Sequence, residues 1–267
     1  MKKIVSLILI IVAMLSLVSC EEALGEIMLQ VALSDKSDKT EIEGGYLHWE
    51  EVEGGYELSS ATIVVNKKKF TTFEIPSEFN GKPVVSIGNA AFFGWSDLEA
   101  ITIPDTVTRI GDGAFAFCSS LKSIVIPDSV TYLGEEVFKG CGSLENVTFP
   151  EEITVLKSNM FELGAFSMTI KFGSKLEVIE DRAFGGGATI YVGKSLKKIY
   201  YTAFNGSGAI RFDGTMEEWM QVERLVGERE EEESDFYSIF IYCTDGTMMK
   251  SNTIDYWVVP EDFFDWD

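Results

Sequence analysis

The chain has 267 residues, of which 46% are hydrophobic and 12% aromatic, and this is the composition of a folded protein rather than of a disordered polyanion. Its 43 acidic and 22 basic residues give a formal net charge of −21. We exclude nucleic acid as a partner, because phosphate binding needs clustered Lys and Arg that this chain lacks.

The N-terminus is typical of an export signal. Lys2 and Lys3 supply positive charge, and residues 4–18 form a 15-residue apolar run, shorter than the roughly 20 residues of a membrane-spanning helix. The run ends at the tetrapeptide LVSC, which resembles the lipobox of bacterial lipoproteins. The resemblance implies a signal peptide over residues 1–19 and a membrane anchor through lipid on Cys20. A plain signal peptide or an uncleaved anchor is the alternative.

The next segment predicts a flexible tether. Residues 20–45 are polar, end in two glycines and show no clear period. We therefore expect the folded part to start near Tyr46.

The folded part is built from a repeat that shows best when the chain is aligned on phenylalanine. Successive units carry it at spacings of 23, 23, 23, 23 and 20 residues, namely at Phe92, Phe115, Phe138, Phe161, Phe184 and Phe204. The predicted organisation is an N-terminal cap with the first repeat over 46–100, repeats of 23, 23, 23, 20 and 20 residues over 101–209, and a closing segment over 210–267.

Each unit is too small to bury its own apolar face, so stacked copies must share one core. The triplet Ile101-Thr102-Ile103 and its equivalents alternate apolar, variable, apolar, which predicts a short strand. The fold class is therefore a repeat solenoid, with short parallel strands about 4.8 Å apart on one face and short helical, 3₁₀ or irregular returns on the other. Gly88, Gly111 and Gly134 are predicted to supply a positive φ at the turn.

The cysteines allow two interpretations. Cys118 and Cys141 occupy the same repeat position, so they would stack roughly 5 Å apart, a distance that a disulfide can span. Equivalent positions point their Cβ atoms the same way, however, and Trp95 fills this slot in the first unit, which favours free, buried thiols. Cys243 has no obvious partner, and no spacing typical of a zinc site occurs.

The repeated phrase LxxIxIPxxVxxIGxxAFxxC resembles the BspA-type leucine-rich repeat of bacterial surface proteins; Leu98–Cys118 matches it, and Leu121–Cys141 matches it except at Leu133 and Val137. The closing phrase with Trp219 and Cys243 resembles the segment that ends many such arrays. The resemblance implies a right-handed solenoid on the outer side of the cell envelope. It implies adhesion to host or neighbouring-cell proteins, including extracellular matrix, or to glycans, and it names no ligand.

The candidate binding residues are the variable positions of the strand triplets, which point away from the core. They form one predicted exposed column: Thr102, Val125, Thr148, Lys171, Tyr191 and Arg211. Tyr and Arg are enriched at interface hot spots, so we expect partner binding at the C-terminal end of the column. The structural alternative is that Lys171 and Arg211 only separate carboxylates and that Tyr191 reflects β propensity.

Nothing in the sequence indicates a catalytic residue, a metal site or a cofactor. The single histidine, His48, is expected to be structural or on the surface. The acidic run Glu228–Asp235 lacks the alternating acids and glycine of a calcium loop and predicts a solvated loop. The alternative function is an envelope carbohydrate-binding protein, or a carbohydrate-active enzyme, which would need two carboxylates about 5 to 9.5 Å apart.

Overall fold

The computed structural model describes residues 38–42, 45–63, 70–164, 168–185, 187–204, 208–225, 239–251 and 257–258. The predicted lipid site Cys20 and the acidic run Glu228–Asp235 lie outside the described residues. In these ranges no helix is long and apolar enough to cross a bilayer.

The described residues form short strands, one 3₁₀ turn at Tyr201–Ala203 and one short α-helix. In chain order these are β1 (Asp38–Ile42), β2 (Gly45–Val52), β3 (Gly55–Ile63), β4 (Thr72–Glu74), β5 (Glu78–Phe79), β6 (Lys82–Ile87), β7 (Ala100–Thr102), β8 (Arg109–Ile110), β9 (Ser123–Val125), β10 (Tyr132–Leu133), β11 (Asn146–Thr148), β12 (Val155–Leu156), β13 (Thr169–Lys171), β14 (Val178–Ile179), β15 (Thr189–Val192), β16 (Lys198–Tyr200), β17 (Gly208–Phe212), α1 (Met216–Met220), β18 (Glu223–Leu225), β19 (Ile239–Cys243), β20 (Met248–Ser251) and β21 (Trp257–Val258).

The predicted strand triplets form one face of the solenoid. They make a ten-stranded sheet in the order β21-β20-β19-β17-β15-β13-β11-β9-β7-β4. All pairs from β4 to β19 are parallel, and β20 and β21 add antiparallel strands at the end. The predicted repeat solenoid with parallel strands is thereby confirmed.

The returns contain a second set of parallel strands that the sequence analysis does not predict. Strands β6, β8 and β10 pair in one sheet, and β12, β14, β16 and β18 pair in another. Most are two residues long, too short to leave a recognisable period. They form because the stacking of the coils brings equivalent backbone groups within hydrogen-bonding distance, as in the pairing of Ile110 with Leu133. The predicted helical or 3₁₀ conformation occurs in the described returns only at Tyr201–Ala203.

The predicted role of the repeat glycines is wrong. Gly88, Gly111 and Gly134 have no positive φ; they are glycines because the coils approach closely at these points. A Cβ on Gly134 would lie 2.3 Å from Asp112 Oδ1 and 2.5 Å from Asp112 N. The left-handed conformation falls two residues later in each unit, at Ala90, Gly113, Glu136, Asn159 and Arg182.

The second face is interrupted between β10 and β12, which do not pair. Lys157 stands there in place of the close-approach glycine. Gly134 approaches Asp112 of the preceding coil too closely for any side chain. If the fourth coil approached the third equally closely, the Lys157 side chain would have no room. Further along, Glu180 occupies the same column, and its carboxylate accepts hydrogen bonds from the Ser158 backbone and hydroxyl at 3.1 and 3.2 Å.

The core contains a continuous stack of the repeat phenylalanines. Successive ring centroids lie 5.4, 5.9, 5.5, 5.8 and 4.9 Å apart, with interplanar angles of 24° or less, along Phe92, Phe115, Phe138, Phe161, Phe184 and Phe204. All six side chains are buried. The repeat spacing therefore places one ring per coil directly over the last.

The N-terminal cap closes the first coil. Strands β1, β2 and β3 form an antiparallel meander, and β3 pairs in parallel with β6. Trp95 Nε1 donates to the Ala61 carbonyl at 3.0 Å, which fixes the cap to the first unit. Strand β1 lies inside the predicted tether, residues 20–45, so this boundary is wrong: Asp38–Ile42 pairs with β2 over five residues because its backbone continues the meander.

The closing segment begins with α1, whose N-terminus has a capping box. The Thr215 hydroxyl accepts from the Glu218 backbone at 3.2 Å, and Glu218 Oε2 accepts from the Thr215 backbone at 2.8 Å. Asp245 Oδ2 accepts from the Met216 backbone at 2.9 Å. Trp219 packs its buried ring against Phe212 on β17.

The three described cysteines are free and buried. Cys118 Sγ donates to the Phe92 carbonyl and Cys141 Sγ to the Phe115 carbonyl, each at 3.2 Å. Burial raises the pKa of the Cys141 thiol to about 12, and burial followed by the proximity of Cys141 raises the pKa of Cys118. These cysteines fill a core slot, as the sequence analysis favours.

We expect the buried thiols to make the protein less stable at alkaline pH. The folded pKa exceeds the unfolded value of about 8.5, so the thiols' contribution is complete below pH 8.5 and is lost as the pH rises towards about 12. The loss is about 1.4 kcal/mol per pH unit for each thiol. The measurement is the free energy of unfolding in urea between pH 8 and pH 11, compared with the Cys118→Ala/Cys141→Ala variant. The variant should decline less steeply, and parallel profiles would contradict the prediction.

Candidate functional site

The predicted binding residues form one exposed column on the ten-stranded sheet. Strand pairing brings Val125 beside Thr148, Thr148 beside Lys171, Lys171 beside Tyr191 and Tyr191 beside Arg211. The pairing of β7 with β9 continues the column to Thr102. All six side chains are exposed. The structure thus brings all of the sequence-predicted residues together, while partner binding by them stays a prediction.

The exposure follows from the alternation of the strands. The residues on either side of Lys171, Ile170 and Phe172, are buried in the core, and the same holds around the other column positions. The parallel column two residues earlier is mostly small: Ala100, Ser123, Asn146, Thr169, Thr189 and Ala209. Small side chains beside the column leave it open from that side.

The column has two chemically different halves. Its N-terminal half is neutral, with Thr102, Val125 and Thr148. Its C-terminal half is cationic and aromatic, and it continues beyond the predicted residues to Tyr242 on β19, which pairs with Arg211. Tyr242 was not among the predicted residues, although Ile241-Tyr242-Cys243 repeats the apolar, variable, apolar triplet. We refer to Lys171, Tyr191, Arg211 and Tyr242 as the cationic patch.

Arg211 lies between two aromatic rings of the cationic patch. Its guanidinium carbon is 4.9 Å from the Tyr242 ring centroid and 5.7 Å from that of Tyr191. Both distances are within the range of cation–π attraction. The two rings therefore restrict Arg211 to a position above the sheet.

Lys171 differs from the other lysines whose side chains the structure describes. Lys39 lies over the Tyr46 ring, and eight others form ion pairs with glutamates: Lys82, Lys122, Lys139, Lys157, Lys175, Lys194, Lys197 and Lys198. Most of these pairs join neighbouring coils, as Lys175 and Glu152 do at 2.5 Å. Among the described residues, neither Lys171 nor Arg211 has a carboxylate within ion-pair distance.

The described carboxylates show no cluster typical of metal binding, and the three with a shifted pKa are all shifted downwards. No group of three or more His, Cys, Asp or Glu side chains that could hold a metal ion occurs among them. Hydrogen bonds from Ser174 lower the pKa of Glu151. Hydrogen bonds from the Thr215 backbone and then from Lys194 lower the pKa of Glu218, and a hydrogen bond from the Met216 backbone lowers the pKa of Asp245. A general acid for sugar hydrolysis needs a shift in the opposite direction.

The sequence matches one family model. Residues 85–211 correspond to six copies of the BspA type leucine rich repeat region. This range holds the six residues of the predicted column. No match was found among curated proteins.

The chain is similar to solved structures of bacterial leucine-rich repeat proteins. A leucine-rich repeat protein from Eubacterium ventriosum is 20% identical with a TM-score of 0.51, and the match covers 78% of this chain and 49% of that one. The leucine-rich repeat protein of T. pallidum is 22% identical over 64% of this chain and 86% of its own, with a TM-score of 0.47. A leucine rich cell surface protein from Faecalibacterium prausnitzii is 13% identical with a TM-score of 0.37, and the match covers 73% of this chain and 100% of that one.

Proposed function

Residues 85–211 of this chain are a BspA-type leucine-rich repeat region, and from this premise we propose that the protein is a binding or adhesion module of the bacterial cell surface. It holds a protein of the host or of a neighbouring cell on the exposed face of the ten-stranded sheet and carries out no catalysis. The observation that carries the proposal is the cationic patch, where Lys171 and Arg211 stand exposed without an ion-pair partner among the described residues.

The stacking of the coils does not require this patch. Lysines that link neighbouring coils pair with glutamates, as Lys175 does with Glu152. A tyrosine present only for its β propensity does not require an arginine beside its ring, as Tyr191 has in Arg211. Exposed Tyr and Arg side chains in contact with each other are typical of interface hot spots. A partner that covers the patch would gain the energy of these preordered groups.

Replacement of Tyr191 and Arg211 by alanine is expected to weaken partner binding at least about tenfold, the usual effect of removing a hot spot. The measurement is binding of the ectodomain from Glu21 onward to a panel of host matrix proteins and glycans. The matched control is Arg109→Ala/Tyr132→Ala, which removes an equivalent arginine–tyrosine pair from the second face. The Arg109 guanidinium carbon lies 3.8 Å from the Tyr132 ring centroid. Equal losses in both variants would refute the role of the strand face.

The same panel separates the carbohydrate alternative. Binding to glycans alone, lost in the Tyr191→Ala/Arg211→Ala variant, would replace the protein partner by a carbohydrate. Hydrolysis of a glycan would refute the proposal of a module without catalysis. The single histidine, His48, is buried in the cap, where burial and then Lys39 lower its pKa, so its imidazole is not exposed to a ligand.

The anchor is a lipid on Cys20, as the lipobox-like sequence suggests. Replacement of Cys20 by alanine removes the thiol that is acylated, so the protein is expected to leave the membrane fraction and surface labelling of intact cells should be lost. The control is Cys243→Ala, which changes a cysteine of the folded part. Unchanged membrane retention of Cys20→Ala would contradict lipid anchoring.

A further inference from the structure

We infer that the cationic patch recognises a short acidic segment of the partner in an extended polyproline II conformation, with two carboxylates three residues apart. One carboxylate binds Arg211 and the other binds Lys171, while the segment lies over Tyr191. This inference rests on the proposed function and adds the chemistry of the partner.

The two basic side chains of the patch are available to a partner. Lys171 and Arg211 lie on an exposed sheet face and have no carboxylate partner among the described residues. A guanidinium that stacks on aromatic rings keeps its N–H groups in its own plane, where they can donate in pairs to a carboxylate. Lysine supplies a single mobile charge, which tolerates a less exact position of the second carboxylate.

The spacing of the two cations indicates the conformation of the partner segment. Lys171 on β13 and Arg211 on β17 are separated by two strand steps, which amounts to about 10 Å. In a polyproline II helix, residues i and i+3 lie on the same side and about 9 Å apart. Residues i and i+2 of a strand lie about 7 Å apart, and residues i and i+4 of an α-helix about 6 Å. The polyproline II spacing fits best.

An aromatic surface lies between the two cations and continues beyond Arg211. Tyr191 stands on β15, midway between Lys171 and Arg211, and Tyr242 follows on β19. Aromatic rings that line a shallow surface are the usual contact for polyproline II segments, which bind with little loss of conformational entropy. The small neighbours Thr169, Thr189 and Ala209 leave room for such a segment along the column.

The overall charge of the chain disfavours a strongly anionic partner. At −21 the chain repels a polyanion such as a sulfated glycan, so charge favours a partner with few negative groups placed opposite the patch. Two carboxylates on an otherwise neutral segment meet this condition. The neutral half of the column, with Thr102, Val125 and Thr148, matches the uncharged remainder of such a segment.

The test uses fluorescently labelled synthetic peptides and the ectodomain from Glu21 onward, with binding followed by fluorescence anisotropy. The probe contains Glu-Pro-Pro-Glu within a proline-rich segment. One control peptide has Gln in place of both Glu, and a second has Glu-Pro-Glu-Pro, which changes the spacing. We expect the probe to bind about tenfold more tightly than either control, because each lost charge-assisted contact weakens binding severalfold or more.

Variants of the protein complete the test. Lys171→Gln and Arg211→Gln should each weaken binding of the probe about tenfold, whereas Lys175→Gln, whose lysine is paired with Glu152, should not. Equal binding of the Glu and Gln peptides, or preference for the changed spacing, would overturn the inference. Binding of a labelled sulfated oligosaccharide, lost in the Lys171→Gln and Arg211→Gln variants, without any binding of the probe would also overturn the inference. If the probe fails while a panel protein still depends on Tyr191 and Arg211, the proposed function stands and only the acidic segment is wrong.

Discussion

Replacement of Phe138 by alanine is expected to lower the free energy of unfolding by about 3–5 kcal/mol, the range for large-to-small substitutions of aromatic core residues. The Phe138 ring is fully buried and lies 5.9 Å from the Phe115 ring and 5.5 Å from the Phe161 ring. Removal of the ring leaves a cavity in the middle of the stack. Backbone hydrogen bonds hold the neighbouring coils at their spacing, as Phe138 N does with the Met160 carbonyl at 3.0 Å, so the cavity cannot close.

The measurement is urea unfolding followed by circular dichroism. The matched control is Phe117→Ala, because Phe117 is 41% exposed and contacts Phe93 at the surface rather than the stack. This control should lose less than about 1.5 kcal/mol, since its ring is only half removed from water. If the two variants lose similar amounts, the stack does not have the stabilising role that its geometry indicates.

A single methyl group on Gly134 is expected to destabilise the protein by about 1–3 kcal/mol or more, as overpacking of a filled site does. The added Cβ would lie 2.5 Å from Asp112 N and 2.7 Å from the Gly111 carbonyl carbon. Both atoms belong to the backbone of the preceding coil, so they cannot move aside without shifting that coil. The same coil holds Asp112 Oδ1, which accepts from the Glu135 backbone at 3.0 Å and would be displaced.

The control for this prediction is Gly142→Ala. A Cβ on Gly142 has no atom within 4 Å, and the backbone there is not left-handed. Alanine at such a site is expected to be neutral or to stabilise by up to about 1 kcal/mol, because it restricts the unfolded chain. Comparison of the two variants by urea unfolding therefore isolates the close approach. A Gly134→Ala variant as stable as Gly142→Ala would show that the coils can separate at no cost.

The repeat period made much of the fold predictable. Phenylalanines 23 residues apart can share a core only if the units stack, and the alternating triplets can only be strands on one face. The second set of strands was not predictable in this way, because two residues such as Arg109 and Ile110 form a strand only once neighbouring coils bring their backbones together. The repeat glycines are a second example. A glycine at a fixed repeat position can be there for a positive φ or for a close approach of two coils, and the sequence does not distinguish these reasons.

The candidate site was predictable in position but not in its interactions. Alternation places Lys171, Tyr191 and Arg211 outside the core, and the structure has them there. The position of the Arg211 guanidinium between the Tyr191 and Tyr242 rings depends on side-chain conformations, which the sequence does not specify. Tyr242 escaped prediction because the stretch between β18 and β19 takes it out of the repeat register.

The missing pairing between β10 and β12 makes the solenoid mechanically uneven along its axis. At the next junction the Glu180 backbone donates to the Leu156 carbonyl at 2.9 Å, whereas the equivalent link between the third and fourth coils does not form. The ten-stranded sheet and the Phe stack continue from the third coil to the fourth. A pulling force between the two ends of the solenoid therefore meets less resistance on the second face between these two coils. The coils bend there about the ten-stranded sheet before they separate.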